Sequence, residues 1–380
     1  MNTDEPAAAA ARLEAEIREA TRAIPSFAAH VAIGGEPLLE INPDAPLCAC
    51  STIKVAVGAA VMKAAEDGRI DLDARVGELD GSIRFASPEG GSITLRMLMS
   101  HTSGLDDTDK VEDDPRAAAT SLPFVAAPGR AFRYSNVAFD VGAEAAACAG
   151  GFSDAETMLG ETVLSPLGMA ATAPWPELGT GVMRTTARDL ARLAEAQIEP
   201  RRLLSERSLA EMRRIHADSY TAAANRYYGL GISIERWGDG RETYSHGGGL
   251  GRYGSACVID PETRSWAIFL FDHPAGYGVS PHIVLDRLLG RETTPPAPRP
   301  LAVDWRAYVG RYENGAQLKA ENGRPVLNWK GAAHGLRDFD ERLLAASPRI
   351  SVGLLPGEPR MISVNDFILI GARPGRRIGD

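Results

Sequence analysis

The stretch CSTIKVAVGAAVMKAAEDGRI, residues 50–70, is apolar nearly all round for three helical turns, yet it carries a lysine, Lys54, in its first turn. An ammonium is expensive to take out of water. A lysine at a helix end can snorkel to solvent, but Lys54 also stands three residues after Ser51, and residues three apart share a helix face. A serine hydroxyl is a poor nucleophile until a base removes its proton. A free lysine is neutral in only about one molecule in 2,500 at pH 7, and burial among apolar side chains shifts an ammonium towards the amine. The spacing therefore predicts a nucleophile and its base on one buried helix, with Gly68 as its C-cap.

Ser-x-x-Lys alone is a weak signal, although with five lysines in the chain it occurs only once. Two further segments strengthen it. RYSNVAF places Tyr134 and Asn136 about eighty residues downstream, and YSHGGGLGRYGSA places His246, Gly247, Gly248 and Gly249 at the start of a strand. A phenol can pass a proton to a leaving group, and an asparagine can hold an acyl amide. A glycine-rich strand lets backbone N–H groups approach a developing oxyanion.

Around these motifs the chain reads as a mixed protein. SFAAHVAIGGEPLLEINPDAPL (26–47) predicts two strands around a Gly-Gly turn, and 227–237, the TYSHGG segment and 254–273 predict more, the last two strands joined by DPET. The middle, 106–225, alternates Ala-rich helical patterns such as TARDLARLAEAQI (186–198) with polar loops. Strands from both ends of a large domain with helices between them predict an α+β fold, an antiparallel sheet flanked by helices beside an all-helical lobe. The stretch 293–300 holds four prolines in eight residues and reads as a stiff linker. Beyond it, 301–380 carries two Asn-Gly turns among short apolar runs, which predict a small, barrel-like β domain of hairpins. The expected division is a catalytic domain over 1–292, a linker over 293–300 and a β domain over 301–380.

Composition narrows the function. A net charge of −9 with basic residues spread along the chain argues against nucleic acid and anionic membrane surfaces. No stretch of 18 uncharged apolar residues predicts a membrane span. The N-terminal MNTDEPAAAAARLEAEIREATRA lacks the pattern of a secretory signal, so the cytoplasm is the expected location. Cys48, Cys50, Cys148 and Cys257 have neither CxxC nor metal-ligand spacing and read as small buried residues; Cys50 is a rival nucleophile with no base beside it in sequence. GGLGRYG (248–254) lies between strands, which excludes a dinucleotide loop. His101 in SHTSGL reads as a structural residue of a helix-to-turn joint. His216, His273, His282 and His334 have no sequence partners that suggest a metal or catalysis.

Ser51-Thr52-Ile53-Lys54, Tyr134-Ser135-Asn136 and His246-Gly247-Gly248 together resemble the three motifs of the penicillin-binding proteins and serine β-lactamases. The chain looks most like the class C branch and its family VIII esterase relatives, over roughly residues 20–290; LRMLMSHTSGL and RTTARDLARLAEA resemble connecting segments of that branch. The resemblance implies an acyl-enzyme on Ser51, formed while Lys54, coupled to Tyr134, takes the proton. It implies an oxyanion hole from the backbone N–H groups of Ser51 and Gly249. Asn136, His246, Gly247 and Gly248 would line the substrate, and neither metal nor organic cofactor would be needed. His246 stands where penicillin-active members carry lysine, which makes β-lactams and D-Ala-D-Ala peptides poorer substrates. The expected function is a serine hydrolase of small esters or amides on a small-molecule or peptidyl acyl substrate. The alternative is an acyltransferase or peptide cyclase of the penicillin-binding-protein-type thioesterase kind, with a carrier protein as partner. A non-catalytic binding protein on the same scaffold would be expected to have lost Ser51, Lys54 or Tyr134, and all three are present.

Overall fold

The computed structural model describes residues 4–106, 114–179, 181–219, 226–294, 301–312, 315–340, 343–347, 350–355, 361–364 and 367–370. Its centre is an eight-stranded antiparallel sheet. β1 (Phe27–Ile33) and β2 (Glu36–Ile41) form the predicted hairpin, with Gly34 and Gly35 at φ 64° and 89°, the paired left-handed conformations that a tight two-residue turn demands. β3 (Leu47–Cys48), β4 (Ala173–Pro174) and β5 (Met183–Thr185) make a small separate sheet. β6 (Ala217–Asp218), β7 (Arg226–Tyr228), β8 (Ser233–Arg236), β9 (Glu242–Leu250), β10 (Tyr253–Asp260) and β11 (Ser265–Phe271) complete the large one, in the order β2-β1-β11-β10-β9-β8-β7-β6. The N- and C-terminal parts of the domain thus meet at the β1–β11 pair.

β11, SWAIFLF, is buried at every position, as befits a strand covered on both faces. Its alternate residues divide between two cores. Trp266, Ile268 and Leu270 pack with Val55, Val61 and Met62 of the helix Ile53–Glu66. Ala267, Phe269 and Phe271 pack on the other face with Leu13 and Ile17 of the helix Asp4–Ala20 and with Val284 and Leu285 of Pro281–Leu288. Each fully buried side chain of this size contributes about 1.5–3 kcal/mol relative to exposure. A further apolar cluster, with Ile93, Leu98, Leu105 and Val141 among its members, holds the helical lobe around Leu95–Met99 and Asn136–Gly150.

The helix Ile53–Glu66 carries the Ser-x-x-Lys lysine and follows a single 3₁₀ turn, Cys50–Thr52. Gly58 lets it approach the β7–β8 turn: a Cβ there would stand 2.3 Å from the carbonyl oxygen of Leu230. Gly231, at φ 76°, comes as close from the other side, since its Cβ would lie 2.5 Å from the carbonyl oxygen of Lys54. Two glycines thus fix the depth at which Lys54 enters the sheet face. Residues 301–362 contribute an apolar cluster of their own, including Trp305, Tyr312, Leu318, Leu327 and Leu354, between a four-stranded sheet (310–335) and a five-stranded one (337–370). Asn322 and Gly323, at φ 49° and 76°, form the second Asn-Gly turn. Asn314 of the first, and 295–300 of the proline-rich stretch, lie outside the described residues. Two cysteines differ from expectation: Cys148 is exposed near the end of its helix, and Cys50 is half-buried.

Candidate active site

The turn that presents Ser51 is held by its neighbours. Ala49 N–H donates to Met183 O at 2.9 Å, and the Ala49 carbonyl accepts from the hydroxyls of Thr52 (2.6 Å) and Ser255 (2.8 Å). Cys50 sits at φ 44°, a left-handed conformation that a residue with a Cβ adopts only when its surroundings enforce it. The strain lies one residue before the serine. The side chain of Ser51 makes no hydrogen bond among the described residues and is half-buried. A hydrogen bond with Cys48, followed by burial, pushes the Cys50 thiol up, so Cys50 stays protonated and is a poor rival nucleophile.

Lys54 is 7% exposed. Its Nζ donates to Asn136 Oδ1 at 2.8 Å and lies 5.4 and 5.3 Å from the ring centres of Tyr134 and Phe139. The serine motif and the Tyr-x-Asn motif therefore meet, through an amine–amide hydrogen bond. Lys54 packs over the face of Tyr134, while the Tyr134 hydroxyl is buried with no hydrogen-bond partner among the described residues. Asn136 begins the helix Asn136–Gly150, capped by the Ser135 hydroxyl, which accepts from Ala138 N–H at 3.1 Å.

His246 is buried beside this group. A carbonyl can only accept, so Nδ1–H donates to Gly247 O (2.6 Å) and Nε2 accepts from the Tyr228 hydroxyl (2.9 Å). Burial first, then the charge of Lys54, pulls its pKa down to about 3, and the ring is neutral. Just upstream, the buried carboxylate of Glu235 accepts from Ser245 and, at 3.2 Å, from Thr243, which anchors β9 before it reaches the site. β8 pairs with β9 only over Glu242–Ser245, while β10 continues to Leu250. The glycine run is thus paired on one side only. Gly248 passes against the Ser51 turn: a Cβ there would lie 2.4 Å from Ser51 N and 2.6 Å from Cys50 Cβ. Gly249 faces Tyr277, whose hydroxyl donates to Gly248 O at 2.8 Å.

A serine on a 3₁₀ turn, a lysine in the first turn of the helix that follows it, a Tyr-x-Asn segment bonded to that lysine and a glycine strand against the serine amide occur together, and the Beta-lactamase family model matches residues 10–281. The chain belongs to the Beta-lactamase family. Its solved structural neighbours include SurE with D-Leu, at 21% identity and TM-score 0.74, over 97% of this chain and 100% of that one. The octameric penicillin-binding protein homologue from Pyrococcus abyssi matches at 18% identity and TM-score 0.65, over 96% and 98%. A D-stereospecific amidohydrolase from Streptomyces matches at 21% identity and TM-score 0.59, over 70% and 94%. At these identities the likeness is one of fold. No curated protein matches the sequence.

Membership of the Beta-lactamase family makes the chain a serine hydrolase in the broad sense. Two parts of its site were not legible as functional in the sequence. Tyr228, in YYGLG, proves to be the partner of His246, and His101 lies with its ring centre 4.2 Å from that of Tyr134. A hollow of about 720 Å³, lined by Ala65, Leu72, Arg96 and Arg207, opens at the far end of the helix Ile53–Glu66 and contains none of the candidate residues. Among the described residues no cluster of three or more His, Cys, Asp or Glu could hold a metal ion, and no helix is long and apolar enough to cross a membrane.

Proposed function

We propose that this Beta-lactamase family member forms an acyl-enzyme on Ser51 and hydrolyses small esters or amides whose acyl group carries a D-configured residue. The observation that carries the reading is the bond between Lys54 and Asn136 one helical turn from Ser51, with the Tyr134 hydroxyl, unpartnered among the described residues, in the same nook. In the first step, which requires Lys54 as the free amine, Ser51 Oγ bonds to the substrate carbonyl carbon and its proton passes to that amine. The carbonyl oxygen becomes an oxyanion held by the N–H groups of Ser51 and Gly249. The tetrahedral species collapses, the bond to the leaving group breaks, and that group takes a proton relayed through Tyr134. Water then attacks the acyl-enzyme by the same route in reverse and frees Ser51. The neutral His246, with both ring nitrogens engaged, adds no cation for a substrate carboxylate, which favours uncharged acyl donors. The preference for D-residues rests on two neighbours, SurE with D-Leu and the D-stereospecific amidohydrolase.

Acyl transfer to an amine or alcohol is the second reading. It is favoured by the C-terminal β sheets over 310–370, since the penicillin-binding-protein-type thioesterases that the motifs resemble also carry a small C-terminal β domain. Both readings are tested with D- and L-leucine p-nitrophenyl esters, N-acylated to remove the free amine, against wild type and Ser51→Ala. Turnover abolished by Ser51→Ala, faster for the D-ester and yielding acid, supports the hydrolase. Product diverted to an added amine at the expense of acid supports transfer. Turnover that survives Ser51→Ala would sink both.

A further inference from the structure

We propose that His101 is the positioning residue of the site: it holds the Tyr134–Asn136 segment in place against Lys54, an inference that rests on the proposed role of Tyr134. His101 follows the helix Leu95–Met99, is fully buried and stands at φ 56°. That left-handed turn aims two acceptors of one residue at one strand of chain. The His101 carbonyl accepts from Arg133 N–H at 2.7 Å, and His101 Nδ1 accepts from Ser135 N–H at 3.2 Å. The backbone of Tyr134 is therefore clamped on both sides by a residue more than thirty positions earlier.

The clamp continues through the side chain. The imidazole lies against Tyr134 and, with ring centres 4.9 and 5.4 Å away, against Tyr228 and Phe139, the second of which also packs against Lys54. Because a backbone N–H can only donate, Nδ1 is bare and the ring proton sits on Nε2, which has no partner among the described residues. Burial, with Lys54 and His246 nearby, keeps the ring neutral, so the acceptor at Nδ1 persists. The neighbouring segment is tied down in the same way: Thr102 O accepts from Gly129 N–H (2.7 Å) and Gly104 O from Val125 N–H (2.9 Å). A rigid ladder thus runs from the end of one helix to the start of the next, and His101 is its rung at the catalytic tyrosine. A misplacement of about 1 Å in a reacting group can cost about 10²-fold in rate.

The test compares His101→Gly with His101→Asn. Glycine tolerates the left-handed backbone but removes the acceptor; asparagine tolerates it and puts Oδ1 where Nδ1 stood. Tyr134→Phe and Ser51→Ala are measured alongside with the same ester. Expected are a kcat about 10²-fold lower in His101→Gly with KM within threefold, a His101→Asn kcat within tenfold of wild type, and faster amide hydrogen exchange at Ser135 in the glycine variant only. If the glycine variant fails to fold, the asparagine variant decides, and a folded His101→Asn that has lost kcat as far as Tyr134→Phe overturns the proposal. A folded His101→Gly with wild-type kcat, or one that raises KM alone, overturns it too. Full activity in Tyr134→Phe would instead overturn the functional reading beneath it.

Discussion

Lowering the pH from 7.5 to 5 should weaken the fold through its buried histidines, and His246 sets the scale. Burial, then Lys54, holds its native pKa at about 3, whereas an unfolded chain titrates near 6.5. Between those values the unfolded state binds a proton that the native state refuses, so stability rises with pH across this window and is lost as the pH falls. At pH 5 the unfolded histidine is 1.5 units below its pKa, a loss of about 2 kcal/mol at about 1.4 kcal/mol per unit. His101 and His216 act in the same direction, both lowered first by burial, His216 to about 4. Carboxylates do not offset this. Asp80, where Arg116 and Ser82 outweigh the opposing effect of burial, is held at about 2 and loses its contribution only below the usual Asp range. Against a domain stability of about 5–15 kcal/mol, 2 kcal/mol from one ring is a large share.

The measurement is urea unfolding followed by fluorescence of the five tryptophans at pH 7.5, 6 and 5 and constant ionic strength, on wild type and His246→Asn. The wild-type midpoint should fall steadily below pH 6.5, and the variant should show a shallower decline by about 2 kcal/mol at pH 5. A midpoint that stays flat from pH 7.5 to 5 would refute the claim that these rings are buried neutral.

Three substitutions probe the geometry. Gly248→Ala puts a Cβ 2.4 Å from Ser51 N, so kcat for ester turnover should fall about 10²–10³-fold, the loss typical of an impaired oxyanion hole, with a loss of about 1–3 kcal/mol in stability because backbone must shift; equal kcat would remove the strand from the site. Asn136→Ala deletes the 2.8 Å partner of Lys54 and should cost about 10² in kcat, the low end of general-base contributions, as read by single-turnover acylation. Gly58→Ala drives a Cβ to 2.3 Å from Leu230 O and should destabilise by about 1–3 kcal/mol in urea titrations, because a backbone atom has little room to yield.

What could be read from the sequence were features whose signal is local. The Gly-Gly hairpin at 34–35, the helix stop within 66–68 and the strand pair joined by DPET follow from periodicity and turn chemistry within a few residues. The Ser-x-x-Lys pair is one helical turn. The partners of the catalytic candidates are not local. Lys54 meets Asn136 across 82 positions, His246 meets Tyr228 across 18, and His101 reaches Ser135 across 34. The sequence suggested Lys54 coupled to Tyr134; the structure bonds it to Asn136 and lays it over the tyrosine ring. Spacing places the two motifs in one site, but side-chain packing decides which atoms touch. His101 looked like a joint because its signal, a histidine after a short helix, is the signal of a joint; its second acceptor is visible only once residues 133–135 are beside it.

The same distinction bears on His246. A histidine at the place of a motif lysine could, in principle, supply a cation by taking up a proton. Here the proton would have to enter a buried ring beside Lys54, and the Tyr228 hydroxyl would have to turn from donor to acceptor at Nε2. Desolvation and repulsion from Lys54 oppose the charged form and outweigh the Gly247 carbonyl and the Glu235 carboxylate, which favour it. His246 therefore serves as a neutral strut that ties β9 to β7, and any anchoring of a substrate carboxylate must come from elsewhere in the chain. That is a physical reason to rank uncharged acyl groups above the carboxylate-bearing substrates that a lysine at this position would suit.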